Sequence, residues 1–306
     1  MALNNNADGE SLGWYLRHFD ELVQAKNYRT LDELKNDCFF ESATTKKFQS
    51  GIPKLLNWWE GKGFWVLEDG VYRPNPQYGD GDFGVRLCKF LITNASETDY
   101  FCSRNEESLM QFLSILSASH DCSSISGKSL TWDQLQGVLR NGIPLRTDSL
   151  PDALQPSSHR DIKPNNESVN TVLNWAQLCG LVVPGLQKDE YFVDATGILK
   201  GFLSDIKARF PGQSILRAAD FFQAIGECIP FLDNGNYRRV MDSVREPGTF
   251  KKTEQGYVSE PLSAAISRLR LSNSLKLSSN SDDANQVFVM RDNKSFQGYS
   301  TVEICI

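Results

Sequence analysis

The residues best equipped for chemistry in this chain are basic. Between Asp233 and Lys276 stand eight cations, Arg238, Arg239, Arg245, Lys251, Lys252, Arg268, Arg270 and Lys276, against five acids. Guanidinium and ammonium groups at that density are the electrostatic footprint of phosphate contact, although a plain solvated surface uses the same residues. Lys54 adds another cation, in a group with Lys46, Lys47 and Lys62. Asn174 lies among Asn170, Thr171 and Gln177. A side-chain amide there could read adenine in a major groove, or simply form a polar helix face.

Catalysis has no comparable footing. No P-loop, G-x-S-x-G elbow or zinc signature is present. Gly79-Asp80-Gly81-Asp82-Phe83-Gly84 formally satisfies G-x-G-x-x-G. No strand–helix–strand unit surrounds it, and its aspartates would repel phosphate, so it reads as a turn opening a helix. His120, Asp121 and Cys122 are adjacent in sequence, and adjacent side chains rarely face one another. The seven cysteines form no Cys-x-x-Cys and read as buried free thiols, while the three histidines lack ligand spacing. The expectation is a protein that is not an enzyme and that uses no cofactor and no metal.

The elements that must position the basic residues announce themselves by repetition. Leu55-Leu56-Asn57-Trp58 runs into Gly63-Phe64-Trp65-Val66, and Val172-Leu173-Asn174-Trp175 runs into Gly180-Leu181-Val182-Val183 with the same spacing from Trp to Gly. Each copy predicts an apolar-striped helix stopped by a glycine, which adopts the left-handed conformation without a Cβ penalty. A strand follows at once. In the first copy Asp69-Gly70 is a type I′ hairpin signal. In the second, strands at 181–183 and 191–193 flank a longer loop containing Gly185. A third copy places Ala265, Ile266 and Leu269 before Asn273, then a strand at 275–277 paired with one at 287–290.

Other helices follow from apolar periodicity. Leu12, Tyr15, Leu16, Phe19, Leu22 and Val23 predict a first helix, and Thr30 with Glu33 has capping-box spacing for a second. Further helices are expected at 83–92, 106–119, 130–139, 167–178, 215–229 and 236–244. Ser50 and Pro53 mark one third-helix start, Ser259 and Pro261 another. The polar, proline-bearing stretch 141–166, carrying His159, Arg160 and Lys163, is too long for a tight turn.

This helix, stop and hairpin resembles the third helix and wing of the winged helix-turn-helix family. The resemblance implies a mainly α fold with small β-hairpins (α+β), in three tandem winged-helix-like modules: 1–78, 79–205 with the 141–166 insertion, and 206–306. In that family the third helix often enters the DNA major groove while the wing touches the backbone, and many members bind proteins instead. Trp58, Trp65 and Tyr72 would suit a protein-binding face, or else the module core.

Composition bounds the choice. Hydrophobic residues make up 40% and aromatics 11%, enough for packed cores over 306 residues. The net charge of −6 opposes long-range attraction to DNA, which leaves room only for a local basic face. No apolar run is long enough to span a bilayer, and the polar start Met1 to Glu10 lacks a signal pattern, so a cytoplasmic location with no membrane partner is expected.

In length and module order the chain also resembles the DpdG family, from bacterial gene clusters that insert 7-deazapurines into DNA and restrict unmodified DNA. That resemblance implies a non-enzymatic accessory part of an anti-phage defence system, beside helicase or ATPase subunits. It would act by binding double-stranded DNA, as a protein adaptor, or both. A DNA-binding transcriptional regulator is the alternative within the winged-helix family.

Overall fold

A computed structural model describes residues 9–38, 56–57, 59–79, 81–95, 107–118, 129–141, 143–144, 161–162, 168–244, 256–283, 285–292 and 295–306. Helices dominate, joined by small antiparallel strand pairs. In chain order they begin with α1 (Gly9–Ala25), α2 (Leu31–Cys38) and α3 (residues 56–57 and 59–61), then the hairpin β1 (Trp65–Glu68) and β2 (Val71–Pro74). Next come α4 (Phe83–Asn94), α5 (Glu107–Ala118), α6 (Trp132–Asn141) and the short pair β3 (Ile143–Pro144) and β4 (Asp161–Ile162). The second copy consists of α7 (Ser168–Leu178), β5 (Val182–Pro184) and β6 (Tyr191–Val193). The remainder comprises α8 (Thr196–Ala208), β7 (Ile215–Arg217), α9 (Ala218–Cys228), α10 (Asn236–Val244), α11 (Glu260–Leu271), β8 (Leu275–Ser278), β9 (Val287–Asp292), β10 (Ser295–Tyr299) and β11 (Thr301–Ile304).

The repeat is written in hydrogen bonds. Gly63, Gly180 and Asn273 all have positive φ, at 74°, 81° and 56°. Just beyond each, a backbone N–H reaches five residues back: Phe64 to the Trp59 carbonyl, Leu181 to Ala176, Ser274 to Leu269. The left-handed residue itself bonds three back, to Glu60, Gln177 and Arg270. This pair of bonds satisfies carbonyls that every helix end leaves open. The strand after the hairpin then returns: Asn75, Asp194 and Cys305 donate their N–H groups to the carbonyls of Phe64, Leu181 and Ser274.

A third bond set was hidden from sequence. Tyr72 N–H donates to the Tyr28 carbonyl at 2.8 Å, Leu130 and Tyr191 exchange both backbone bonds, and Val302 pairs with Leu216. Tyr28, Leu130 and Leu216 are equivalent, each just before the second helix of its copy. The strand order β7-β11-β8 therefore recurs in miniature twice more, with the returning strand in the middle. This corrects two expectations. Leu130 and residues 215–217 are extended, and their helices begin only at Trp132 and Ala218. Apolar residues serve either element, and such short extended segments leave no period to read.

The third hairpin is also corrected. β8 pairs with β11 and not with residues 287–290; β9 pairs with β10. Residues 287–292 and 295–299 are neighbours along the chain, so closing that hairpin costs less entropy than spanning the long polar loop after β8. Helix α8, which the sequence reading leaves unassigned, packs on α9, α11 and α4.

Local signals hold elsewhere. Thr30 and Glu33 form the reciprocal capping box, and Thr131 with Gln134 forms a second one. Asp69 and Gly70 both have positive φ, as a type I′ turn needs. Asp82 caps α4 by accepting from Gly84 N–H, so the glycine-rich stretch is a helix opening. Ser259 stands at the N-cap of α11, but its hydroxyl makes no cap bond; its own N–H is held by Asp233 at 2.6 Å. The buried side chains of all three copies join one apolar cluster. Trp65 and Tyr72 belong to it and are buried, not surface aromatics. Outside the described residues lie Lys46, Lys47, Ser50, Pro53, Trp58, His120 to Cys122, and His159, Arg160 and Lys163 of the 141–166 insertion, of which only 141, 143–144 and 161–162 are described.

Candidate functional site

Helix α7, which carries Asn174, is a hub. A Cβ on Gly13 of α1 would stand 2.2 Å from Leu178 Cδ1 and 3.8 Å from Trp175, and one on Gly84 of α4 would stand 2.5 Å from the Leu178 carbonyl oxygen. Glycine at both crossings lets the helices close on α7. On another side, Asn170 accepts bonds from the Trp132 indole N–H and the Gln136 amide, both of α6. Asn174 and Gln177 are only half-buried, but every other described side chain from Val169 to Leu178 except Asn170 is buried. Little of this helix is left for a groove.

The basic residues of the third copy do not form one open face. Arg238 is buried: its guanidinium pairs with Asp233 at 3.2 Å and Asp242 at 3.1 Å and donates to the Ser117 carbonyl at 3.3 Å. It ties α10 to α5 and, through Asp233, to the start of α11, so its charge is not offered to a partner. Arg239 is exposed and donates to Asn236. Arg268 pairs with Asp194 of the second copy. Arg270 donates to the Tyr299 hydroxyl at 2.6 Å, and Lys276 pairs with Glu303 across the sheet at 3.3 Å. The Glu303 carboxylate bonded to Lys276 raises the ammonium pKa above its ordinary value. The fold thus brings Arg268 and Arg270 together at the end of α11, with Lys276 in the strand that follows. Lys54, Arg245, Lys251 and Lys252 lie outside the described residues.

Sequence reasoning missed the most buried charge pair among the described residues. Asp20 and Arg86 are 0% and 1% exposed, with both carboxylate oxygens 2.7 Å from one guanidinium nitrogen. Trp65 and Gln24 donate to the same carboxylate, and the guanidinium lies over the Phe64 ring at 5.0 Å. The pair is closed to solvent and works as a joint between α1, β1 and α4. The signal was available: Asp20 sits inside the apolar stripe of Leu16, Phe19 and Val23.

Other titratable groups are likewise occupied. Contact with the Cys88 thiol, together with burial, pushes the Cys179 thiol well above its usual value, which makes it a poor nucleophile. Burial, then its bond to Glu60, raises the Tyr72 phenol to about 12. Among the described residues no three His, Cys, Asp or Glu gather as a metal site would require, and no helix is long and apolar enough to cross a membrane. A depression of about 750 Å³ beside β11 is lined by Lys207, Phe210, Gln213, Glu303 and Ile306, and Lys207 bonds main-chain carbonyls there.

Compared with known proteins, the chain finds no match among the curated proteins or the solved structures. A family model described as DpdG-like matches residues 1–283, ending after β8 and before the β9–β10 hairpin. That match spans most of the 306 residues, and on it the chain belongs to the DpdG-like family.

Proposed function

We propose that this protein is a non-enzymatic adaptor built from three tandem winged-helix-like modules, serving a DpdG-associated DNA-modification and defence system chiefly through protein contacts. Family membership supports the DNA-modification context. The repeated order of helix, short strand, helix, helix and two strands, with the returning strand central, supports the winged-helix reading. One observation carries the choice of adaptor over DNA reader. The third helix of the second copy is covered by its neighbours, and of the five described cations between Asp233 and Lys276 three, Arg238, Arg268 and Lys276, hold acids of the same chain. Aliphatic side chains meanwhile stand in solvent at wing and helix ends: Leu67, Leu186 and Leu271. An exposed aliphatic side chain at each of these separate ends suits a protein partner better than a phosphate backbone. A transcriptional regulator reading DNA through the second copy would need the free third helix that α7 does not offer.

Co-expression with the products of the neighbouring genes tests this reading. The expected result is a complex that survives chromatography in about 0.5 M salt, where surface charge contacts are screened. DNA contact keeps one specific support, because Arg239 and Arg270 face solvent and have no acid partner among the described residues. A duplex titration at low salt, comparing wild type with Arg239→Glu/Arg270→Glu, decides that point. The adaptor reading expects the two proteins to behave alike. A monomer with tight, arginine-dependent duplex binding would hand the function to DNA.

A further inference from the structure

The internal repeat shows what covers a third helix, and the third copy presents the same position uncovered. Counting back from the left-handed stops at Gly180 and Asn273, Trp175 and Leu178 of α7 correspond to Arg268 and Leu271 of α11. In the second copy that face receives α1. Leu178 is 6% exposed, and Gly13 crosses so close to it that an added Cβ would make the leucine side chain turn aside. Seven residues further along, on the same side of α1, Asp20 receives the guanidinium of Arg86 from the adjoining α4. In the third copy Leu271 is 80% exposed, and Arg268 and Arg270, three positions and one position before it on α11, are exposed as well. Arg268 already holds Asp194, while Arg270 bonds only the neutral Tyr299 hydroxyl among the described residues. The end of α11 thus offers an apolar anchor and a guanidinium without an acid, the two kinds of contact that α1 receives from α7 and α4, and no described residue covers Leu271.

We infer that the C-terminal end of α11 docks an acidic amphipathic helix of a partner protein. The helix carries a glycine or another small residue where it crosses Leu271, and a carboxylate about two turns away for Arg270. Helix-in-groove recognition by a few spaced anchors is a general mode of protein contact, and the small residue is what lets two helix backbones close over a leucine. The inference rests on the adaptor reading and supplies the class of its partner.

The probe is a synthetic peptide of the α1 sequence, Gly9 to Ala25, labelled at its N-terminus. It is locked as a helix by a lactam between residue 17, as Arg17→Lys, and Glu21. Arg17 and Glu21 form an i,i+4 pair that stays exposed while α1 packs on α7, so the lock is compatible with the crossing at Gly13. Fluorescence anisotropy against the full chain should show saturable binding. Leu271→Asp in the protein, Arg270→Glu in the protein and Gly13→Leu in the peptide should each weaken it by at least about tenfold. Leu271 is exposed, so its variant should keep the wild-type circular dichroism and melting temperature. Absence of saturable binding overturns the inference, as does equal binding to Leu271→Asp, which would mean that the peptide is exchanging with α1 on α7. A wild-type dimer that becomes monomeric in Leu271→Asp also overturns it, because the occupant would then be a second copy. If the peptide fails while the co-expressed complex persists, only this inference falls; if the complex fails as well, the adaptor reading goes with it.

Discussion

Helices α7 and α11 end in the same way and live in opposite surroundings. Both stop at a left-handed residue, both turn into a strand through the same pair of backbone bonds, and both carry an apolar residue two positions before the stop. Around α7, four helices close in, through Gly13 and Gly84 and through hydrogen bonds to Asn170. At the end of α11, Leu271, Arg268 and Arg270 are exposed among the described residues. The difference shows that a repeated backbone motif sets only where a side chain projects. What the residue contributes depends on which other element reaches it.

The largest expected effect tests whether the α1 joint is what makes the α7 region rigid. Asp20→Ala leaves Arg86 buried without its counter-charge and should cost about 3–5 kcal/mol in a urea titration. Glu303→Ala, which breaks the exposed pair with Lys276 in the third copy, should cost no more than about 1 kcal/mol. Comparable losses at the two sites would erase the contrast. The next test compares equivalent leucines: Leu178→Ala should lose about 2–5 kcal/mol by cavity formation, and Leu271→Ala should stay within about 0.5 kcal/mol of wild type. Similar unfolding midpoints for the two variants would show that α11 is covered after all.

A smaller loss is expected from Gly84→Ala, whose new methyl would meet the backbone oxygen of Leu178 at 2.5 Å. Neither partner is a flexible side-chain end, so about 1–3 kcal/mol follows from overpacking. Thermal melts that match wild type would mean that α4 and α7 can slide apart freely. The smallest effect lies at the stops themselves. Gly180→Ala should cost about 1 kcal/mol because φ is 81° there. Asn273→Gly should change stability by less than about 0.5 kcal/mol, since asparagine already tolerates that conformation. If Gly180→Ala proves neutral, the two stops are not held by the same geometry.

Several of these features were readable beforehand because they are local. Gly63, Gly180 and Asn273 mark helix stops by their own φ preferences, Asp69-Gly70 marks a turn, and Thr30 with Glu33 marks a cap within four residues. The mainly α pattern with small hairpins follows from apolar spacing along single segments. Residues 215–217 and Leu130 read as helix from sequence because an apolar residue just before a helix looks like its first turn. Only pairing with β11 or Tyr191 makes these segments extended. The basic cluster was counted correctly, yet its meaning was not contained in the count. Arg238 lies among acids of its own neighbourhood, and the carboxylate that holds Arg268 comes from 74 positions away.

The amino-acid sequence by itself determined most of the helices, their left-handed stops, the first two hairpins and the existence of a repeat, because each depends on backbone preferences acting over a few residues. Only the tertiary structure decided which copy is buried and which is open, that Asp20 neutralises Arg86, and that Trp65 and Tyr72 face inward. Those outcomes depend on groups far apart in the chain meeting in space. Burial and ion pairing belong to such meetings, and no single segment encodes them.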